Sequence, residues 1–130
     1  MTTFKDFALP EALQHKLDAL GFDTPTPVQE RAIPAALEHR DILGSAQTGT
    51  GKTAAFAIPL LTKIMNHADV YGIIVTPTRE LALQVDEQIR AFLSAKSKIR
   101  SVVLIGGASI ERQVQALGKR PKIIVGTPGR

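Results

Sequence analysis

At 130 residues, 44% hydrophobic and 22% charged, the chain has the size and balance of one globular domain, typically ~100–150 residues, and intrinsic disorder is excluded. With no cysteine it has no disulfide scaffold and no Cys-based zinc site. No stretch approaches the roughly 20 apolar residues that span a bilayer, and residues 1–6 lack a basic-then-apolar signal, so a cytoplasmic protein with no membrane contact is expected. Sixteen Lys and Arg against twelve Asp and Glu leave a charge of +4, which suits a polyanionic partner without specifying one.

The first helical pattern opens at Pro10, carries Leu13, Leu17 and Leu20 on one face, and stops at Gly21. After a turn through residues 22–25, Thr26 is placed as N-cap of a second helix. Pro27 falls in its first turn and Gln29 three residues after the cap, the spacing of a capping box. Pro34 predicts a kink or restart in that helix. A short strand is expected at residues 41–44, then a glycine-rich turn, then a helix from Lys52 to about Asn66 bent at Pro59. The apolar runs 73–75, 102–105 and 123–125 are predicted as strands buried on both faces. Between them lie helices at about 79–93, with Leu81, Val85, Ile89 and Phe92 inward, and 109–117, with Ile110, Val114 and Leu117 inward and Gly118 as stop. Alternation of strand and helix from residue 41 predicts an α/β fold with a parallel sheet and helices on both faces. A division into residues 1–40 and 41–130 is expected within one structural domain.

The most specific pattern is AQTGTGKT, Ala46 to Thr53. Its glycines let successive N–H groups point into one concavity at a helix N-terminus, a cradle for phosphate. Lys52 would reach the β and γ phosphates as a point charge, and the Thr53 hydroxyl would hold Mg²⁺. The strict pattern has glycine where this chain has Ala46. A second constellation pairs Phe4 with residues 21–29. Gln29 reads as a capping-box residue, or as a side chain whose donor and acceptor pair with the adenine edge, and the two roles are compatible. Three further turns follow strands: Pro77 to Leu81, Gly106-Gly107, and Thr127 to Arg130. Ligands of open α/β sheets bind along that carboxyl edge, and hydroxyls and helix N-termini there hold phosphates without reading bases.

Taken in order, Phe4, GFDTPTPVQ (21–29), AQTGTGKT (46–53), PTREL (77–81), GG (106–107) and TPGR (127–130) resemble the DEAD-box RNA helicases, in the N-terminal part of their first RecA-like domain. The likeness covers essentially the whole chain, and Ala46 also fits the family. It implies a partial RecA-like phosphate-loop domain that binds ATP and Mg²⁺. By resemblance, Phe4 stacks on adenine, Gln29 pairs with it, and Phe22 and Thr24 shape the pocket. Ala46, Gln47, Thr48, Gly49, Thr50, Gly51, Lys52 and Thr53 hold the phosphates, with Lys52 and Thr53 as the catalytic pair and Thr53 on the metal. Pro77, Thr78, Arg79, Gly107, Thr127, Pro128 and Gly129 grip the sugar–phosphate backbone of an RNA strand without reading its sequence.

The 130 residues do not contain the family's Asp-Glu-Ala-Asp segment, its Ser-Ala-Thr segment or a second RecA-like domain with its arginine finger. The loss of such a finger alone costs ~10³–10⁵ in rate. The chain by itself is therefore expected to bind adenine nucleotide without hydrolysing it, and its sheet edge to favour self-association. RNA-stimulated ATP hydrolysis and unwinding of short duplexes are expected of the parent protein. Two alternatives stand beside this reading: a non-catalytic nucleotide- or RNA-binding module, and a phosphate-loop translocase acting on DNA.

Overall fold

The computed structural model describes residues 2–47, 49 and 51–130. These form two compact units, residues 1–68 and 69–130. The boundary falls after the helix that follows the glycine-rich turn, not between residues 40 and 41, because that helix packs against its predecessor.

In the first unit, a short 3-10 turn, Phe4–Asp6, precedes α1 (Glu11–Ala19), α2 (Pro27–Leu37) and α3 (Lys52–Asn66). Leu13 and Leu17 of α1, Ile33 of α2 and Ala57, Ile58 and Leu61 of α3 are fully enclosed. Each large aliphatic side chain so buried contributes about 1.5–3 kcal/mol. Leu20, expected on the same face as Leu13 and Leu17, is 43% exposed because it is already the C-cap. Gly21 follows in the left-handed region (φ 82°), and the Gly21 and Phe22 N–H groups donate to the Asp18 and Leu17 carbonyls at 3.1 and 2.9 Å. That pair of bonds is the stop predicted at Gly21. His39 closes α2 in the same way with φ 64°, where glycine would be unstrained. Neither Pro34 nor Pro59 divides its helix; α2 and α3 each run continuously through the proline.

The strand expected at residues 41–44 does not form. Ile42 is 45% exposed and Leu43 fully so, and the sheet comprises three strands elsewhere. A strand needs a ladder on at least one side, and among the described residues none is assigned to this four-residue segment.

The second unit holds β1 (Gly72–Val75), α4 (Arg79–Phe92), β2 (Ser101–Leu104), α5 (Ile110–Gly118) and β3 (Ile123–Gly126). The sheet is parallel throughout, in the order β1-β3-β2. With β3 in the middle, both connections are helical crossovers, as the alternating pattern predicts for βαβ units. Ile123 and Val125 are fully buried against α4 side chains, but Ile73 and Val75 on edge strand β1 are 72% and 68% exposed. Ile124 and Gly126, on the other face of β3, are half-buried, so β3 is fully buried on one face only, and the expectation of burial on both faces fails for β1.

Two helix faces differ from the periodicity. On α4 the buried stripe is Ala82, Val85, Asp86, Ile89 and Phe92, leaving Leu81 at its margin. On α5 the expected inward residues point out: Ile110 and Val114 are 62% and 61% exposed. The residue turned in is Gln113, whose amide donates to the Ile105 carbonyl at 2.8 Å. That carbonyl lies just past β2, and Gln113 supplies its donor. α5 also runs one residue further than expected, through Gly118, with Lys119 as C-cap and Arg120 after it in the left-handed conformation, φ 55°.

Candidate functional site

The first unit assembles the glycine-rich turn with the start of α2. Gln29 is 3% exposed, and both ends of its amide are engaged. Its Oε1 accepts from the Thr26 N–H at 2.9 Å, the predicted half of the capping box. Its Nε2 donates to the Gly51 carbonyl at 3.1 Å. The reciprocal half is looser: the Thr26 hydroxyl faces the third residue of the helix but is enclosed without a bond of hydrogen-bond geometry. One side chain thus joins the first turn of α2 to the residue that opens α3.

Gly49 and Gly51 lie in the left-handed region, with φ 85° and 83°. A Cβ on Gly51 would collide with the Gln29 amide, so glycine is required there twice over, by dihedral and by space. Gly51 is the N-cap of α3 and has no side chain to cap the first N–H groups of the helix. Lys52, exposed, and Thr53, half-buried, are the first two helical residues. Ala46 is half-buried, and Gln47 and Gly49 are exposed; Thr48 and Thr50 lie outside the described residues. Uncapped N–H groups, a lysine and a hydroxyl fit a polyphosphate. A single hydroxyl fits Mg²⁺, which keeps most of its ligands as phosphate oxygens and water.

The aromatic part of the site is arranged differently from the expectation. Phe4 is 1% exposed, with Phe7 and Phe22 edge-on to it at ring-centroid distances of 5.7 and 5.6 Å. Its N–H donates to the Asp23 carbonyl at 3.2 Å, which ties it to the loop before α2. No face of the Phe4 ring is presented to a ligand here. Phe22 is half-buried and Thr24 exposed.

In the second unit, the three turns after the strands meet at one end of the sheet. Thr78 caps α4, its hydroxyl accepting from the Leu81 N–H at 3.2 Å. The guanidinium of Arg79 lies against Gly107: a Cβ there would sit 2.9 Å from Arg79 Nη1, and φ at Gly107 is 80°. The Thr127 N–H donates to the Leu104 carbonyl at 3.1 Å. Pro77, Thr78, Arg79, Pro128 and Gly129 are exposed, and Thr127 is half-buried. Thr76 was not singled out by sequence, yet it organises this end. It is 4% exposed, and its hydroxyl donates to the Thr78 carbonyl at 3.0 Å and lies 3.4 Å from the Gly126 carbonyl. A threonine closing an apolar strand resembles any β-branched residue, so no sequence signal separates it.

A sequence model of the DEAD/DEAH box helicases matches residues 26–130. The chain belongs to that family. It is 49% identical, over its full length, to the DEAD-box ATP-dependent RNA helicase CshA of Bacillus cereus (strain ATCC 10987 / NRS 248) and to CshA of Bacillus anthracis. It spans about a quarter of the length of these curated relatives, 25%. The crystal structure of a DEAD box protein from the hyperthermophile Methanococcus jannaschii superposes with a TM-score of 0.91 at 38% identity, covering 100% of this chain and 36% of that one. The match supports a RecA-like fold. Among the described residues no helix is long and apolar enough to cross a membrane.

Proposed function

We propose that the chain is the ATP- and RNA-backbone-binding part of an ATP-dependent RNA helicase, acting in the cytoplasm. The observation that carries the nucleotide half is the opening of α3. Two left-handed glycines, an uncapped helix N-terminus, Lys52 and Thr53 follow one another there, as a polyphosphate requires. In this reading Lys52 neutralises the terminal phosphates, the Thr53 hydroxyl is a ligand of the Mg²⁺ that travels with ATP, and Ala46 to Gly51 wrap the phosphate chain. Mg²⁺ would supply charge neutralisation on the phosphate oxygens. Gln29 recognises adenine with the second donor and acceptor positions of its amide, the first being held by Thr26 and Gly51. Phe22 and Thr24 border the base. Phe4 stacks on it only if its ring leaves the aromatic cluster, and otherwise acts by holding Phe22.

Pro77, Thr78, Arg79, Gly107, Thr127, Pro128 and Gly129 form the RNA side. The close approach of Arg79 to Gly107 supports it, since it presents a cation beside an open backbone at the carboxyl edge. Backbone contacts of this kind grip any sequence. The chain alone is proposed to bind nucleotide without hydrolysing it, the parent helicase hydrolysing ATP and separating short duplexes.

Calorimetric titration with ADP, and GDP as control, tests this reading. Saturable ADP binding that Lys52→Ala abolishes and GDP does not share supports it. Equal affinity for the two bases removes Gln29 as the reader of adenine, and absence of binding to either removes the nucleotide site from this chain.

A further inference from the structure

The basic charge of this chain is not spread evenly. The whole chain is +4, yet residues 90 to 122 contain eight Lys and Arg side chains and one carboxylate, Glu111, so the remaining residues carry an excess of acids. Within that basic stretch lies a cavity of about 520 Å³, lined by Arg90, Arg100, Lys119, Ser94 and Ser101 among others. Ser101 begins β2 and Pro121, also in the lining, precedes β3. The cavity is therefore at the amino ends of the parallel strands, the opposite end from Arg79, Gly107 and Thr127. Four-residue strands rising about 3.3 Å per residue separate the two ends.

We propose that this cavity is a second phosphate site, which grips the backbone of a single-stranded polynucleotide through Arg90, Arg100 and Lys119. Cations at helix C-termini often only balance the helix dipole, and Arg90 and Lys119 stand at the ends of α4 and α5. Arg90 is not turned to those carbonyls. Its Nε donates to Asp86 Oδ2 at 2.8 Å and to Ser101 Oγ at 3.3 Å, and its two terminal nitrogens have no partner among the described residues. Asp86, with a side chain 9% exposed, thus acts as a buried post that holds the guanidinium in place while leaving its fork outward. Ser101, accepting from Arg90, keeps its own proton to donate. Arg100 belongs to neither helix and has no dipole to balance. The apolar part of the wall includes Leu93, Ile99, Val102 and Pro121 and holds no aromatic ring. A wall without a stacking platform suits a sugar–phosphate backbone better than bases.

Binding of a fluorescent oligouridylate to the 130-residue chain, followed by anisotropy across a salt titration, tests the site. Arg79→Glu is the background, so that the carboxyl edge contributes little. Arg100→Glu with Lys119→Glu is the decisive pair, because both side chains are exposed, whereas removal of Arg90 would strand the buried Asp86. The expected result is about a tenfold or greater loss of affinity, with a salt dependence shallower by ~0.7 per lost phosphate contact. Arg31→Glu with Arg40→Glu, the same change of net charge on exposed residues of the other unit, should leave affinity within about twofold. Equal weakening by the two pairs would reduce the effect to net charge and overturn the proposal. So would amide shifts at Ser101 and Lys119 caused by inorganic phosphate but not by the oligouridylate, which would mark a free-anion site. Tighter binding of polyglutamate than of the oligouridylate would assign the cavity to an acidic protein, and equally overturns it.

Discussion

Gln29 donates its amide to the Gly51 carbonyl at 3.1 Å while accepting from the Thr26 N–H, so a buried side chain on α2 sets where α3 begins. The Gly51 carbonyl also accepts from the Ala55 N–H at 3.1 Å and keeps a partner without Gln29, but the Thr26 N–H does not. Gln29→Ala should therefore lower the stability of the first unit by ~1–3 kcal/mol and weaken ADP binding. Gln29→Glu keeps the acceptor for Thr26 but turns a buried carboxylate oxygen on the Gly51 carbonyl, so it should lose at least as much stability as Gln29→Ala, and nucleotide affinity with it. Parallel thermal melts and calorimetric titrations check both variants, and a Gln29→Glu chain as stable as the unaltered one would show that the link to Gly51 is idle.

Gly51→Ala adds a methyl to a left-handed residue in contact with that amide. The conformation alone costs about 1–2 kcal/mol, and displacement of Gln29 adds to it. Loss of ADP binding together with a lowered melting temperature is expected, and an unchanged ADP affinity would mean that the Gln29–Gly51 contact does not shape the phosphate loop.

At the other unit, Gly107→Ala would push the Arg79 guanidinium from its place, the new Cβ standing 2.9 Å from Nη1. RNA affinity measured by anisotropy should fall by about the amount lost in Arg79→Ala, roughly one charge-assisted contact of 1.5–3 kcal/mol. The double variant should lose little more than either single one, since both remove the same contact.

Thr76→Val preserves shape and deletes the hydroxyl that donates to the Thr78 carbonyl. A stability loss of ~1 kcal/mol is expected. Faster amide exchange at Leu81 would show that Thr76 positions the α4 cap, and exchange unchanged there would limit Thr76 to filling space.

His39→Gly should stabilise the chain. His39 ends α2 with φ 64°, and relief of that strain, about 1–2 kcal/mol, exceeds the added freedom of glycine in the unfolded chain, ~0.4–1 kcal/mol. A lower melting temperature for His39→Gly would show that the imidazole makes an offsetting contribution.

Much of this protein was legible from local rules. The Thr26–Gln29 spacing marked a helix start, Gly21 a helix stop, and AQTGTGKT a glycine-rich turn that opens α3, because each depends on dihedrals and hydrogen bonds within a few residues. The apolar runs at 73–75, 102–105 and 123–125 located the strands for the same reason. What the sequence could not set was which face each element turns inward. Ile110, Val114 and Leu117 make a helical stripe on paper, and α5 nonetheless buries Gln113, which donates to the Ile105 carbonyl. Phe4 reads as an aromatic for a base and lies enclosed between Phe7 and Phe22. Residues 41–44 read as a strand and have no ladder. Strand pairing, the company of a ring and the satisfaction of one carbonyl are properties of neighbours distant in the chain, and only the tertiary structure brings those neighbours into contact.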